Sequence, residues 1–233
     1  MEKYLSETKF LNFSDDSIQK LIKEKKWINM DTKNKILNIY NFIRDDISFG
    51  FNEKDELSAS TILKDGFGQC NTKGILFMAL LRANGIPCRI HAFHLNKKVQ
   101  KGIITGLTYE LSPENILHTW VEVFYKDNWI NIEGFILDAK YLKNLQKKFN
   151  DSKGTFFGFG IGTDNLQNPE VEWKESNTYI QKEGITEDLG IFATPDELFD
   201  KLSQNIGTVK RFFFFFLFMH SMNKTICEIR DLK

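Results

Sequence analysis

Covalent chemistry at neutral pH calls for a nucleophile and a base, and this chain has three cysteines and four histidines from which to assemble them. Among Cys70, Cys88 and Cys227, Cys70 stands out for what surrounds it. Gly66-Phe67-Gly68-Gln69 is a small, flexible run that delivers Cys70 to the start of a strongly apolar helical pattern: Ile75, Leu76, Met78, Ala79, Leu80 and Leu81. A helix N-terminus carries partial positive charge and unsatisfied N–H groups, and both favour a thiolate over a thiol. The backbone N–H of Cys70 can also face a developing oxyanion. Taken alone, the segment fits equally well a cysteine simply buried at a helix start.

A thiolate nucleophile needs a proton carrier. His220 ends the apolar run FFFFFLFM and reads as structural. His91 and His94 stand three apart on one extended segment, so they point to opposite faces and do not converge with Cys88 on a metal. No metal or cofactor is expected. His118 opens HTWVEVFY, ahead of a hairpin, and is the candidate base. If the hairpin turns through Asp127-Asn128, Lys126 faces Trp129 and Glu122 faces Glu133. His118 shares a face with Glu122, and therefore with Glu133. Glu133 is thus favoured as the group that orients the imidazole. Asp138 would point to the other face and reads as the N-cap of the helix that follows, and the choice between these two carboxylates rests on the register.

Several elements must hold these residues. Residues 14–25 predict a short amphipathic helix with Ser14 as N-cap. Residues 31–46 predict a second, capped by Asp31, with Ile36, Ile39, Tyr40 and Ile43 as its apolar stripe. Residues 47–68 read as looser. The nucleophile helix over 70–84 stops at Asn84-Gly85, with Pro87 beyond. CRIHAFHL, HTWVEVFY and WINIE then read as strands, 138–149 as helix and 150–190 as loop with short elements. Thr194-Pro195-Asp196-Glu197 starts a C-terminal helix, in which Leu198, Leu202, Ile206 and Val209 form one face. Residues 212–219 widen that face all round, as in a buried helix. Helices, a β-meander and further helices make an α+β pattern.

The 233 residues suit a single domain over 1–233, with a core near 31–140 and a helical extension near 190–233. With 31 basic and 31 acidic residues there is no global basic field for nucleic acid. Three widely spaced cysteines without a CxxC pair do not form a secreted disulfide framework or a structural zinc site. The start, MEKYLSETKF, mixes charges unlike a signal peptide, and the expected compartment is the cytoplasm. The eight-residue apolar run falls far short of the roughly 20 residues that cross a bilayer, so no stable membrane span is expected.

GQCNTKGILFMALLRANGIPCRI resembles the nucleophile helix and strand entry of the transglutaminase-like superfamily, and HTWVEVFYKDNWINIE resembles its histidine strand, turn and acidic residue. The resemblance covers residues near 35–140. It implies a papain-like fold, with the nucleophile helix packed on an antiparallel sheet and helical additions at both ends. It also implies that Cys70 is nucleophile and His118 general base and acid, with Glu133 standing where the family usually has Asp. The family's tryptophans match Trp120 and Trp129, which read as packing beside the site. Gln69 and Trp120 are the candidates for an oxyanion donor or site lining. The expected activity is a cysteine-dependent hydrolase on a peptide or amide substrate, acting through a thioester. The alternatives are an amine acyltransferase and a binding module that keeps the fold without turnover.

Overall fold

The computed structural model describes residues 1–203 and 209–232, with side chains described outside residues 203–218. Its helices are α1 (Asp16–Lys25), α2 (Thr32–Asn41), α3 (Ala59–Asp65), α4 (Cys70–Ala83), α5 (Gly106–Leu111), α6 (Ala139–Lys148), α7 (Pro195–Ser203) and α8 (Val209–Arg230). The strands are β1 (Ser48–Phe49), β2 (Phe67–Gly68), β3 (Cys88–Asn96), β4 (Asn115–Tyr125), β5 (Asn128–Ile132), β6 (Phe156–Gly158), β7 (Ile161–Thr163) and β8 (Ile185–Phe192). The principal sheet runs β5-β4-β3-β8 and every pairing in it is antiparallel. This is the expected α+β, papain-like arrangement.

Helix α4 is the centre of the molecule. Every residue from Asn71 to Arg82 is buried, including Lys73 and Arg82. A helix apolar nearly all round is stable only inside a core. Gly74 faces β4: a Cβ there would reach ordinary contact with Val121 Cγ2 at 3.6 Å and Thr119 Oγ1 at 3.8 Å. The buried charges have partners. The Lys73 amine donates to the Arg44 carbonyl (3.2 Å) and the Ile136 carbonyl (3.0 Å), and burial brings its pKa down to about 7. The Arg82 guanidinium donates to the carbonyls of Ser6, Cys88 and Ala193. It thereby ties the N-terminal segment, β3 and the approach to α7 to one helix.

Several expectations need correction. The N-cap of α1 is Asp15, whose carboxylate accepts from the Ser17 N–H at 2.9 Å; Ser14 instead bonds Glu7. A carboxylate accepts without having to give up a proton, and it also favours the positive end of the helix. The stretch read as loose contains α3, capped by Ser58 and ended by Gly66 at φ 71°. The stretch read as loop with short elements holds the short β6 and β7, but at its end begins the longer β8, an edge strand on β3. Its pairing is interrupted between Ala92 and Phe93 and between His94 and Leu95, which erases the alternation a strand would show. The hairpin turns through Lys126-Asp127, both at positive φ (49° and 60°), with Tyr125 opposite Asn128. The pairs therefore move by two residues and Glu122 faces Asn131, not Glu133.

At the C-terminal end, Thr194 and Glu197 close the start of α7: the Glu197 N–H donates to Thr194 Oγ1 (3.1 Å) and the Ala193 N–H, one residue before the cap, to Glu197 Oε2 (2.8 Å). The backbone of α8 spans the phenylalanine run, but the side chains of 212–218 lie outside the described residues, so the buried-helix expectation is not addressed there. Among the described residues no helix is long and apolar enough to cross a membrane. Arg230 at the end of α8 reaches Asp138 at 2.8 and 3.0 Å. Asp138 also accepts from the N–H groups of Tyr141 (2.9 Å) and Phe49 (3.0 Å). Asp138→Ala leaves the partly buried Arg230 guanidinium without its carboxylate, with the Phe49 carbonyl still accepting from it, and strands two N–H groups. It should lower unfolding stability by about 3 kcal/mol in urea titration, and a loss below about 0.5 kcal/mol would remove Asp138 from this role.

Candidate active site

The loop before α4 fixes where Cys70 sits. Gln69 and Thr72 cap the helix reciprocally, with the Gln69 N–H donating to Thr72 Oγ1 at 3.1 Å. Thr72 Oγ1 in turn donates to Asn52 Oδ1 at 2.6 Å. Gly68 makes this possible, because a Cβ there would lie 2.5 Å from Thr72 Oγ1. The Gln69 carboxamide is committed to the same loop: its oxygen accepts from the Asn52 N–H (3.0 Å) and its nitrogen donates to Asp55 Oδ1 (2.8 Å). Gln69 is therefore a capping residue here, which leaves its carboxamide poorly placed to serve as an oxyanion donor. Cys70 is the first residue of α4 and is partly exposed. Cys88 is buried, which pushes its thiol up to about 11, and Cys227 is exposed at the surface.

His118 and Glu133 have no exposed side-chain surface, and Nε2 lies 2.8 Å from Glu133 Oε1. The sequence expectation that they share a face holds despite the shifted hairpin. A two-residue move preserves side-chain parity, and continuing the pairs past Val121↔Ile132 sets Glu133 beside Trp120, two residues from His118. The second oxygen, Glu133 Oε2, accepts from the backbone N–H groups of Ile180 (2.8 Å) and Gln181 (3.1 Å). Thr178 anchors that segment, with its carbonyl and hydroxyl accepting from the Glu133 N–H at 3.1 and 3.2 Å. Gln181 Nε2 adds a bond to the Gly160 carbonyl at 2.6 Å. The longer glutamate side chain thus spans the gap between His118 and the 180–181 amides.

With Nε2 turned to Glu133, His118 Nδ1 is the nitrogen left for Cys70. Burial works against an imidazolium here. The charge and hydrogen bond of the Cys70 sulfur, followed by Glu133, outweigh it and raise His118 to about 10. Cys70 Sγ also lies 3.5 Å from Asn71 Oδ1. Trp120 lines the neighbouring sheet face, packed on Phe93 (4.1 Å), His91 (5.4 Å) and Tyr179 (5.6 Å), with its buried indole N–H unpartnered. Trp129 lies apart from the site, under Arg89 at 4.0 Å.

Other sequence candidates are placed elsewhere. Asp138 caps α6 and pairs with Arg230, away from His118. The His91 nitrogens meet Glu122 (2.8 Å) and Asp188 (2.9 Å), and His94 meets Glu187 (2.7 Å). Sequence reasoning did not find Thr178, Ile180 and Gln181, because backbone N–H donors leave no residue-type signature.

The transglutaminase-like superfamily model matches residues 19–134, a span that holds Cys70, His118 and Glu133. The chain belongs to the transglutaminase-like superfamily. A candidate cysteine protease from Cytophaga hutchinsonii is similar at 15% identity with a TM-score of 0.47; the match covers 83% of this chain and 47% of that one, so this chain spans about half its length. No curated protein matches the sequence.

Because the sulfur is the largest upward contribution to His118, Cys70→Ala should leave burial less opposed. In histidine NMR titrations the parent ring should stay charged through neutral pH and discharge as pH rises through about 10. In Cys70→Ala the ring should discharge at a lower pH; an unchanged midpoint would contradict the contact.

Proposed function

We propose that this transglutaminase-like chain is a cysteine-dependent hydrolase of peptide or amide bonds, with Cys70 as nucleophile, His118 as general base and acid, and Glu133 as the carboxylate that holds the imidazole. The observation that carries the reading is the fully buried contact between His118 Nε2 and Glu133 Oε1 at 2.8 Å, with the Cys70 sulfur acting on the same imidazole.

In the acylation step the Cys70 sulfur, its proton already on His118 Nδ1, attacks the carbonyl carbon. Negative charge develops on the carbonyl oxygen, where the Cys70 backbone N–H at the positive end of α4 is available. As the tetrahedral species collapses, the C–N bond breaks and Nδ1 returns the proton to the leaving amine. A water deprotonated by Nδ1 then attacks the thioester, which releases the acid and restores the sulfur with its proton on Nδ1. Glu133 stays ionised throughout and fixes the tautomer. Because Cys70 is partly exposed while His118 and Glu133 are sealed, substrate approaches from the sulfur side.

Incubation with an activated ester such as p-nitrophenyl acetate should release nitrophenol and leave an acyl group on Cys70, read by peptide mass spectrometry. Glu133→Gln keeps the shape and removes the charge. It should slow acylation by roughly 100-fold to 10,000-fold. Acylation of Cys227 alone, or a Glu133→Gln variant as fast as the parent, would defeat the proposal. Adding a primary amine separates hydrolysis from transfer: hydrolysis predicts free acid, with amide yield rising only at high amine concentration.

A further inference from the structure

Asn71 follows the nucleophile directly, yet its side chain is almost entirely enclosed, at 2% exposure. Its carboxamide oxygen accepts from two groups: the hydroxyl of Thr119 at 3.0 Å and the sulfur of Cys70 at 3.5 Å. Thr119 is itself buried and is the neighbour of His118 on β4. One oxygen atom therefore touches both the nucleophile and the residue beside the base, at the place where the first turn of α4 meets the sheet. We infer that Asn71, oriented by Thr119, is a positioning residue that draws the Cys70 proton toward sulfur, in competition with His118. The inference rests on the nucleophile role proposed above and goes beyond it by naming what sets the balance of the Cys70–His118 pair.

The proton has two places. On sulfur, it can be donated to Asn71 Oδ1, which lies 3.5 Å from Sγ. On Nδ1, an imidazolium faces a thiolate, and Asn71 Oδ1 then confronts a negative sulfur with no proton between them. A carbonyl dipole with its oxygen toward an anion is repulsive, most of all where water is excluded. The Asn71 contact therefore favours the protonated sulfur. Thr119 matters because a carboxamide can turn over and present its NH2 instead, which would favour the thiolate. The Thr119 hydroxyl, donating to Oδ1, holds the oxygen on the sulfur side.

Two near-isosteric variants test this. Asn71→Leu removes the acceptor, and Thr119→Val removes the hydroxyl that orients it. Iodoacetamide alkylation of Cys70 is followed by peptide mass spectrometry at about pH 6 and about pH 9, with the exposed Cys227 as internal control. Thermal melting establishes that each variant is folded. The ratio of the low-pH to the high-pH rate at Cys70 should rise several-fold in Asn71→Leu and by a smaller factor in Thr119→Val, with the Cys227 ratio unmoved. A packing role alone would lower the melting temperature and leave the ratio unchanged. If Asn71→Leu does not fold, Thr119→Val decides. An unchanged or lower ratio in a folded variant overturns the inference. A parent whose Cys70 behaves like Cys227 and is indifferent to His118→Ala removes the nucleophile reading and this inference with it. A His118-dependent parent with unmoved variants removes this inference alone.

Discussion

His118 and Glu133 meet at 2.8 Å with neither side chain reaching solvent. A buried pair of this kind obliges its surroundings to supply every remaining partner, since an uncompensated charge in the interior costs several kcal/mol. Much of the fold follows from that obligation. The free oxygen of Glu133 is taken by two amides from a segment nearly fifty residues further on. That segment is held by Thr178 on the end of β5 and by Gln181 on Gly160. The remaining side of the imidazole is closed by the sulfur at the head of α4, so the nucleophile, the base and the carboxylate form one electrostatic unit.

The sulfur end is built differently. A helix start must be capped and also remain open, because a nucleophile has to meet its substrate. Gln69, Thr72 and Asn52 cap the helix from beneath, Gly68 leaves the room they need, and Cys70 keeps part of its surface free. Asn71 and Thr119 join the two ends. Lys73, one turn into the helix, bonds the Ile136 carbonyl and so ties α4 to the loop that begins at Glu133. One helix thus places the nucleophile and braces the loop that carries the carboxylate.

How much of this could be read beforehand depends on whether a signal lies in side-chain type or in backbone geometry. The nucleophile helix was legible because apolar periodicity, a glycine-bearing lead-in and an Asn-Gly stop agree with one another. The shared face of His118 and Glu133 was legible because strand parity has a period of two, and it survived an error of two residues in the hairpin. The turn itself was not, since Lys126 and Asp127 adopt positive φ without the glycine that usually marks it. β8 was hidden by two irregularities in its pairing, and its acidic residues, Glu187 and Asp188, read as loop. The amides of Ile180 and Gln181 were beyond reach, because any sequence supplies backbone donors.

The central claim is that Cys70 and His118 share a proton in a site whose charge balance Glu133 completes. Ultraviolet thiolate absorbance reports this directly, taken as the difference between the parent and Cys70→Ala across pH. The account predicts a component assignable to Cys70 whose dependence on pH changes in His118→Ala. A Cys70 component unaffected by the loss of His118 would contradict it.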